Sequence, residues 1–152
     1  MRILMIAVGR SRDAELAVMI ERYRRRLPWP LELREIEPKV DDPARRREEA
    51  GRLVLEALPT DDRIVVALDE HGQELTSAGL ATRIGQWRDQ GRRHLVLLIG
   101  GADGHAASVL ERADLVLAFG RLTWPHELVR LLLVEQLYRA HTILAGHPYH
   151  RS

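Results

Sequence analysis

Hydrophobic residues in this chain follow two patterns. Some form short unbroken runs: residues 3–8 in RILMIAVG, 63–68 in DRIVVALD, and the apolar stretches of HLVLLIGG and DLVLAFG. Others recur every three or four positions. Unbroken apolar runs of this length read as strands buried on both faces, and the three-to-four-residue spacing reads as amphipathic helices. In DAELAVMIERYRRRL, Leu16, Met19, Ile20, Tyr23 and Leu27 share one helical face, and PWP ends the segment because proline cannot continue a helix. LELREIE, residues 31–36, alternates and predicts a half-exposed strand. ARRREEAGRLVLEAL predicts a helix with Pro43 in its first turn. SAGLATRIGQWRDQ predicts another, with Leu80, Ile84 and Trp87 facing inward, and HAASVLERA a short one. EHGQELT reads as a loop, and 37–50, EPKVDDPARRREEA, as a charged, mobile, solvent-facing stretch.

Strand and helix patterns alternate from end to end. Buried strands alternating with helices predict an α/β fold, a mainly parallel sheet with helices on both faces. No repeat, low-complexity tract or linker interrupts the 152 residues, so a single domain spanning 1–152 is expected. The last predicted helix, 125–145, is apolar around most of its circumference, which points to burial on several sides and to a subunit interface. Glu135 and Arg139 sit four apart on it, in the favourable order for an ion pair.

Composition narrows the class. With no cysteine, disulfides and thiolate metal sites are excluded. The apolar run at 3–8 is too short for a membrane span and has no small-residue cleavage site after it, so a cytoplasmic protein is expected. The seven histidines show no HxH or HExxH spacing, and no metal site is expected. Twenty-three Lys and Arg nearly cancel 22 Asp and Glu, giving a net charge of +1. That balance carries no general signature of nucleic-acid binding, although Arg24, Arg25 and Arg26 form a local basic cluster.

Ligands of open α/β sheets bind at the carboxyl ends of the strands. Three such ends are unusual here: Leu68-Asp69-Glu70, the loop IGGADGH, and FGRLTWPH. The glycines of IGGADGH suit either a tight turn or close approach of backbone to a ligand. The loop lacks the lysine and hydroxyl of a phosphate loop and does not match GxGxxG, and Asp103 opposes a phosphate, so a neutral or cationic ligand is favoured. In FGRLTWPH, Thr123 is placed to cap the last helix, and His126 in its first turn can face the strand ends. Trp124 suits a core position as well as a ligand wall.

The joined stretches LLIGGADG and LTWPHELVRLLLVEQLYRAHTILAGHPYHR resemble the ribosomal large-subunit pseudouridine N3-methyltransferase family, SPOUT-class enzymes with a trefoil-knotted fold. PHxLxR, EQLYRA and PYHR in that order are the specific part; MIAVG and VVALD fit less diagnostically. The resemblance implies a homodimer that uses S-adenosylmethionine to methylate N3 of a pseudouridine in large-subunit rRNA on the assembled ribosome. It also implies a C-terminal knot, made when the last segment threads through a loop. It places Leu68, Gly100, Phe119, Gly120, Arg121, Leu122, Thr123 and Trp124 around the cofactor, which are the strand ends singled out above. Where many relatives carry an LSLS-like run this chain has LAFG followed by Arg121, whose charge would repel a sulfonium; Arg121 is expected to point away. In the tail, Tyr149 is expected to stack on the target base, His150 to accept the N3 proton, and Arg151 to stabilise charge on the uracil oxygens. Other readings consistent with the sequence are a SPOUT enzyme acting on a different rRNA or tRNA nucleotide, or a non-catalytic ribosome-associated factor.

Overall fold

The computed structural model describes residues 1–150. Five strands, β1 (Arg2–Val8), β2 (Leu31–Ile36), β3 (Arg63–Glu74), β4 (His94–Ile99) and β5 (Leu115–Ala118), alternate with five helices. The helices are α1 (Ala14–Arg24), α2 (Pro43–Ala57), α3 (Ser77–Asp89), α4 (Ala107–Arg112) and α5 (His126–Ala145). A 3₁₀ turn, Pro148–His150, follows α5. All strand pairs are parallel and form one sheet in the order β2-β1-β4-β3-β5. The expected α/β architecture is present.

The unbroken apolar runs arise because each strand feeds two cores. Met5, Val66 and Leu97 face α1, α3 and α5, meeting Ile20, Ile84 and Leu137. Their neighbours Ile6, Val65 and Leu98 face α2 and α4, meeting Val54 and Val109. Helix starts follow local chemistry. Asp13 accepts from the Glu15 and Leu16 amides, Asp42 from Arg45, and Thr76 from Gly79, each satisfying a donor the helix leaves open. Pro43 takes the first turn of α2 as expected, so the charged stretch 37–50 is half helix. Gly146 ends α5 in the left-handed conformation, φ 70°.

Two expectations change. EHGQELT is not a loop: β3 continues to Glu74. Both Leu68 and Gln73 register with Leu117, so the residues between them bulge out of the ladder and β3 then rejoins β5. Gly72 makes this possible. A Cβ there would stand 2.7 Å from the Val116 carbonyl oxygen, so only a bare backbone lets the strands close. Thr123 does not cap α5, whose start is Pro125 with no side-chain cap; its hydroxyl donates to Glu70 Oε2 at 3.1 Å instead.

Helix α5 is the central pillar. No residue from 126 to 144 is fully exposed even in the single chain. Its Arg130 is wholly buried, donating from Nη1 to Glu35 on β2 (2.6 Å) and from Nη2 to the Gly9 carbonyl after β1 (2.9 Å). Glu127 on the same helix accepts from the Arg12 amide. Together these bonds tie the loop after β1 to the first turns of α5.

Candidate functional site

A cavity of about 420 Å³ opens over the carboxyl ends of β3, β4 and β5. Its floor is apolar: Leu68, Ile99 and Leu117 are the last inward residues of three adjacent strands. One wall is the hairpin 101–104, which closes through an antiparallel bridge and a Gly104 N–H bond to the Gly101 carbonyl. Gly100 lets it fold back, since a Cβ would lie 3.1 Å from the Gly104 carbonyl carbon. The opposite wall is the segment from β5 to α5. There Trp124 Nε1 donates to the Phe119 carbonyl at 3.1 Å, which shapes the loop around its ring, and Gly120 turns the chain at φ 89°. The Thr123–Glu70 bond spans from this wall to the β3 bulge.

The rim carries negative charge: Asp69, Glu70 and Asp103 line the cavity. Asp103 is held well below the usual carboxylate range, first by its hydrogen bond from Arg46 and by that cation's charge. The Arg46 Nε–Asp103 Oδ2 distance is 2.8 Å, so the repulsion expected of Asp103 is largely offset on the Arg46 side. His105, also lining the cavity, has its imidazole pushed down by burial, against the Leu98 carbonyl bond and the Asp69 charge. Its Nε2 donates to the Leu98 carbonyl at 3.3 Å, which leaves Nδ1 as an acceptor. The ring is therefore neutral near pH 7. Apolar floor, acidic rim and a neutral histidine favour a ligand with an apolar body and a positive charge.

Of the residues expected here, the structure brings seven together on the cavity: Leu68, Gly100, Phe119, Gly120, Leu122, Thr123 and Trp124. Arg121 is not among them. It is exposed and lies beside Glu70, His71 and Glu74 on a separate surface cleft. His126 does face the strand ends. The described part of the tail, 147–150, does not line the cavity of its own chain. Tyr149 packs edge-on against Tyr138, centroids 4.6 Å apart, beneath the Arg139 guanidinium at 5.3 Å. Its hydroxyl donates to Glu135 Oε1 at 3.1 Å and lies 3.4 Å from the Tyr23 hydroxyl. Burial, with the Tyr23 hydrogen bond and the Glu135 charge, pushes that phenol far up, so it stays protonated. The expected Glu135–Arg139 pair is present at 2.7 Å and forms part of this cluster. Arg151 lies outside the described residues.

Two parts of the site were not foreseen. The β3 bulge that projects Asp69 and Glu70 had one local signal, Gly72 within a strand-like run. For the clamp of Arg130 on Glu35 and Gly9, the arginine stands in PHxLxR, but nothing local marks its partners, which lie 95 and 121 residues away.

A parallel sheet with a cation-suited cavity walled by a glycine hairpin and the segment into the last helix is the arrangement of a SPOUT methyltransferase. The chain matches the family model for predicted SPOUT methyltransferases over residues 1–150 and belongs to that family. It is 53% identical over 154 residues to the ribosomal RNA large subunit methyltransferase H of Rhodospirillum centenum, covering 100% of both chains. It is 50% identical over 153 residues to the protein of the same name from Paramagnetospirillum magneticum, covering 99% of each. Among solved structures, a probable methylase family protein from Haemophilus influenzae Rd KW20 shares the fold, with a TM-score of 0.60 at 11% identity. That match covers 99% of this chain and 70% of the other.

Proposed function

We propose that this protein methylates N3 of a pseudouridine in large-subunit ribosomal RNA, on the assembled ribosome, using S-adenosylmethionine. The observation that carries the reading is the cavity over β3, β4 and β5, which unites the strand ends singled out from sequence and matches a cationic cofactor in charge. The full-length relatives named for large-subunit rRNA support the choice of RNA. When bound, the cofactor supplies an electrophilic methyl group.

The chain's own residues supply placement and charge. Leu68, Ile99 and Leu117 offer the apolar bed, and Trp124 and Phe119 a wall of rings. Asp69 and Glu70 complement a sulfonium, and neutral His105 adds no like charge beside it. Fixing the acceptor in line can contribute roughly 7–11 kcal/mol of the acceleration in well-oriented cases. N3 of the base must lose its proton, and His150 is the proposed acceptor. Arg151 stabilises the negative charge that develops on the ring oxygens. Tyr149, gripped by Tyr138, Glu135 and Tyr23, fixes the 3₁₀ turn that carries His150.

Because Tyr149 packs on α1 and α5 of its own chain and residues 147–150 do not line its cavity, we place the tail in the cavity of a second copy. The working unit is then a homodimer whose sites are shared between subunits. The trefoil threading of the C-terminal segment and a cytoplasmic location belong to the same reading.

The test is nucleoside mass analysis of ribosomes from a strain lacking this protein, after incubation with purified protein and labelled S-adenosylmethionine. Label is expected in N3-methylpseudouridine. Label in another nucleoside would keep the enzyme class and replace the target. No transfer, with the cofactor bound, would replace the ribosome by another RNA.

A further inference from the structure

A second cleft of about 420 Å³ lies beside the first, over the carboxyl ends of β1 and β2. β4 occupies the middle of the sheet, and the hairpin that leaves it, 101–104, forms a wall of both clefts. His126 also borders both. The chemistry of the two is opposite. Arg10, Arg12, Lys39, Arg46 and Arg47 line the second cleft, against only Glu37 and Asp103. Five of the chain's 23 basic residues thus meet two of its 22 acids, and the remaining surface carries a slight acidic excess. Lys39 is the chain's only lysine.

These cations are presented to solvent. Arg46 alone of the five is held in an ion pair among the described residues, with Asp103. Arg10, Arg12, Lys39 and Arg47 are exposed. The fold spends structure on holding them there. The loop carrying Arg10 and Arg12 is pinned by Arg130 on the Gly9 carbonyl, Glu35 on the Ser11 amide and Glu127 on the Arg12 amide. Arg46 fastens the start of α2 to the dividing hairpin.

We infer that this cleft takes the ribose-phosphate backbone next to the target base, so that the base crosses at the hairpin and His126 into the neighbouring cavity. The inference rests on the proposed RNA methylation and adds where the strand lies. Grouped cations on a pinned frame, four of the five outside any ion pair among the described residues, suit a polyanion whose charges repeat along a chain. An acid-rimmed cavity alongside suits the cofactor and disfavours phosphates. The two clefts therefore sort an anionic strand from a cationic cofactor along one row of strand ends.

The experiment uses the full-length triple variant Arg10→Ala/Lys39→Ala/Arg47→Ala and unmethylated ribosomes from a strain lacking the protein. The control is Arg93→Ala/Arg112→Ala, two exposed arginines away from both clefts. Ribosome binding is followed by co-sedimentation across a salt series, and cofactor binding by calorimetry. The triple variant is expected to bind ribosomes about tenfold or more weakly at moderate salt, with a salt slope reduced by about 2, at roughly 0.7 per lost phosphate contact. Its KM for ribosomes should rise more than its kcat falls, its cofactor affinity should be unchanged, and the control should behave as wild type. Wild-type ribosome affinity and slope in the triple variant would overturn the inference. So would lost cofactor affinity, which would make the cleft part of the cofactor site, or an equal loss in the control. Ribosome binding is read separately from methyl transfer, so a wild-type protein that binds but methylates nothing would fail the proposed function and leave the cleft to be judged on binding.

Discussion

Arg130 and Glu35 form an ion pair with unequal surroundings, and that asymmetry predicts an inverted mutational outcome. The arginine side chain is 1% exposed and the glutamate 34%. Exposure alone would make the arginine the costlier residue to replace. The chemistry of what remains says otherwise. In Glu35→Met, a guanidinium stays buried with the Gly9 carbonyl as its remaining partner, and its Nε already has no partner among the described residues. Stranding a buried charge costs about 3–5 kcal/mol, and the nearby Glu127 charge, which remains, keeps this one to about 4 kcal/mol. In Arg130→Met, the glutamate left behind keeps the Ser11 amide and can turn to water, so the loss is about 2 kcal/mol. In the double Met variant no charge is buried, and its stability should exceed that of Glu35→Met alone. Urea and thermal unfolding at pH 7 and one protein concentration would measure this. For a chain of this size 4 kcal/mol corresponds to about 8–16 °C in Tm. The pH dependence gives a second check. Burial raises the Glu35 carboxyl, but the Arg130 bond and charge and the Ser11 amide outweigh it, so the folded value lies below the ordinary one. The pair's contribution is thus complete above the ordinary carboxylate range and fades as pH falls through the lowered folded value. The gap between wild type and Glu35→Met should shrink in acid. An Arg130→Met variant less stable than Glu35→Met, or a double variant whose cost is the sum of the two, would refute the reasoning.

Trp124 is the one tryptophan on the cavity proposed for the cofactor, so adding S-adenosylmethionine should change intrinsic fluorescence, and Trp124→Phe should remove most of the change. Burial holds the His105 imidazole below its ordinary value of about 6.5, so it charges only in more acid solution. Cofactor affinity should hold as pH falls from about 8 through the ordinary imidazole value and drop only in more acid solution, and calorimetry on His105→Asn should show that drop flattened. Gly72→Ala puts a methyl group 2.7 Å from a backbone oxygen that cannot easily move, and thermal unfolding should show a loss of about 1–3 kcal/mol. If the tail serves the partner's cavity, mixing a cavity-dead variant with a tail-truncated one should restore about a quarter of wild-type transfer through mixed dimers; a tail acting within its own chain would restore none.

The alternation of buried runs and amphipathic stretches carried the architecture because strands covered on both faces must be apolar along their covered length, and β1 after Arg2 and β4 after His94 are. β3 shows where this stops. Its second half is polar, and the long-range pairing of Gln73 with Leu117 and Glu74 with Ala118, with Gly72 lying flat on β5, keeps it in the sheet. The first cavity was readable because its parts are local: glycines directly after one strand, an aromatic loop directly after another. The basic cleft was not, since Arg10, Lys39 and Arg47 meet only once β1 and β2 pair, and 37–50 read alone is just a solvated charge run. Helix α1 shows a different limit. Periodicity placed Met19 on its inner face, yet Met19 is 37% and Val18 61% exposed, with Ile20 the only buried side chain. Spacing can show that a face is apolar without showing whether its own chain covers it.

The tail illustrates the same point from the other side. Its density of functional groups suggested a reach into the chemistry, but in one chain the hydroxyl of Tyr149 is spent on Glu135 and Tyr23 and its ring on Tyr138 and Arg139. In one chain that ring is held from two sides, by Tyr138 and by Arg139. Net charge hides a similar division. A total of +1 reads as indifference to nucleic acid, yet it sums an acid-rimmed cavity and an arginine-lined cleft that share a four-residue wall. An enzyme that must hold a cation and an anionic strand within reach of each other gains from keeping the two fields separate and the total small. On the proposed reading its affinity for loose RNA oligomers should be low and its affinity for the ribosome higher, and tight, salt-resistant binding to naked oligomers would contradict this.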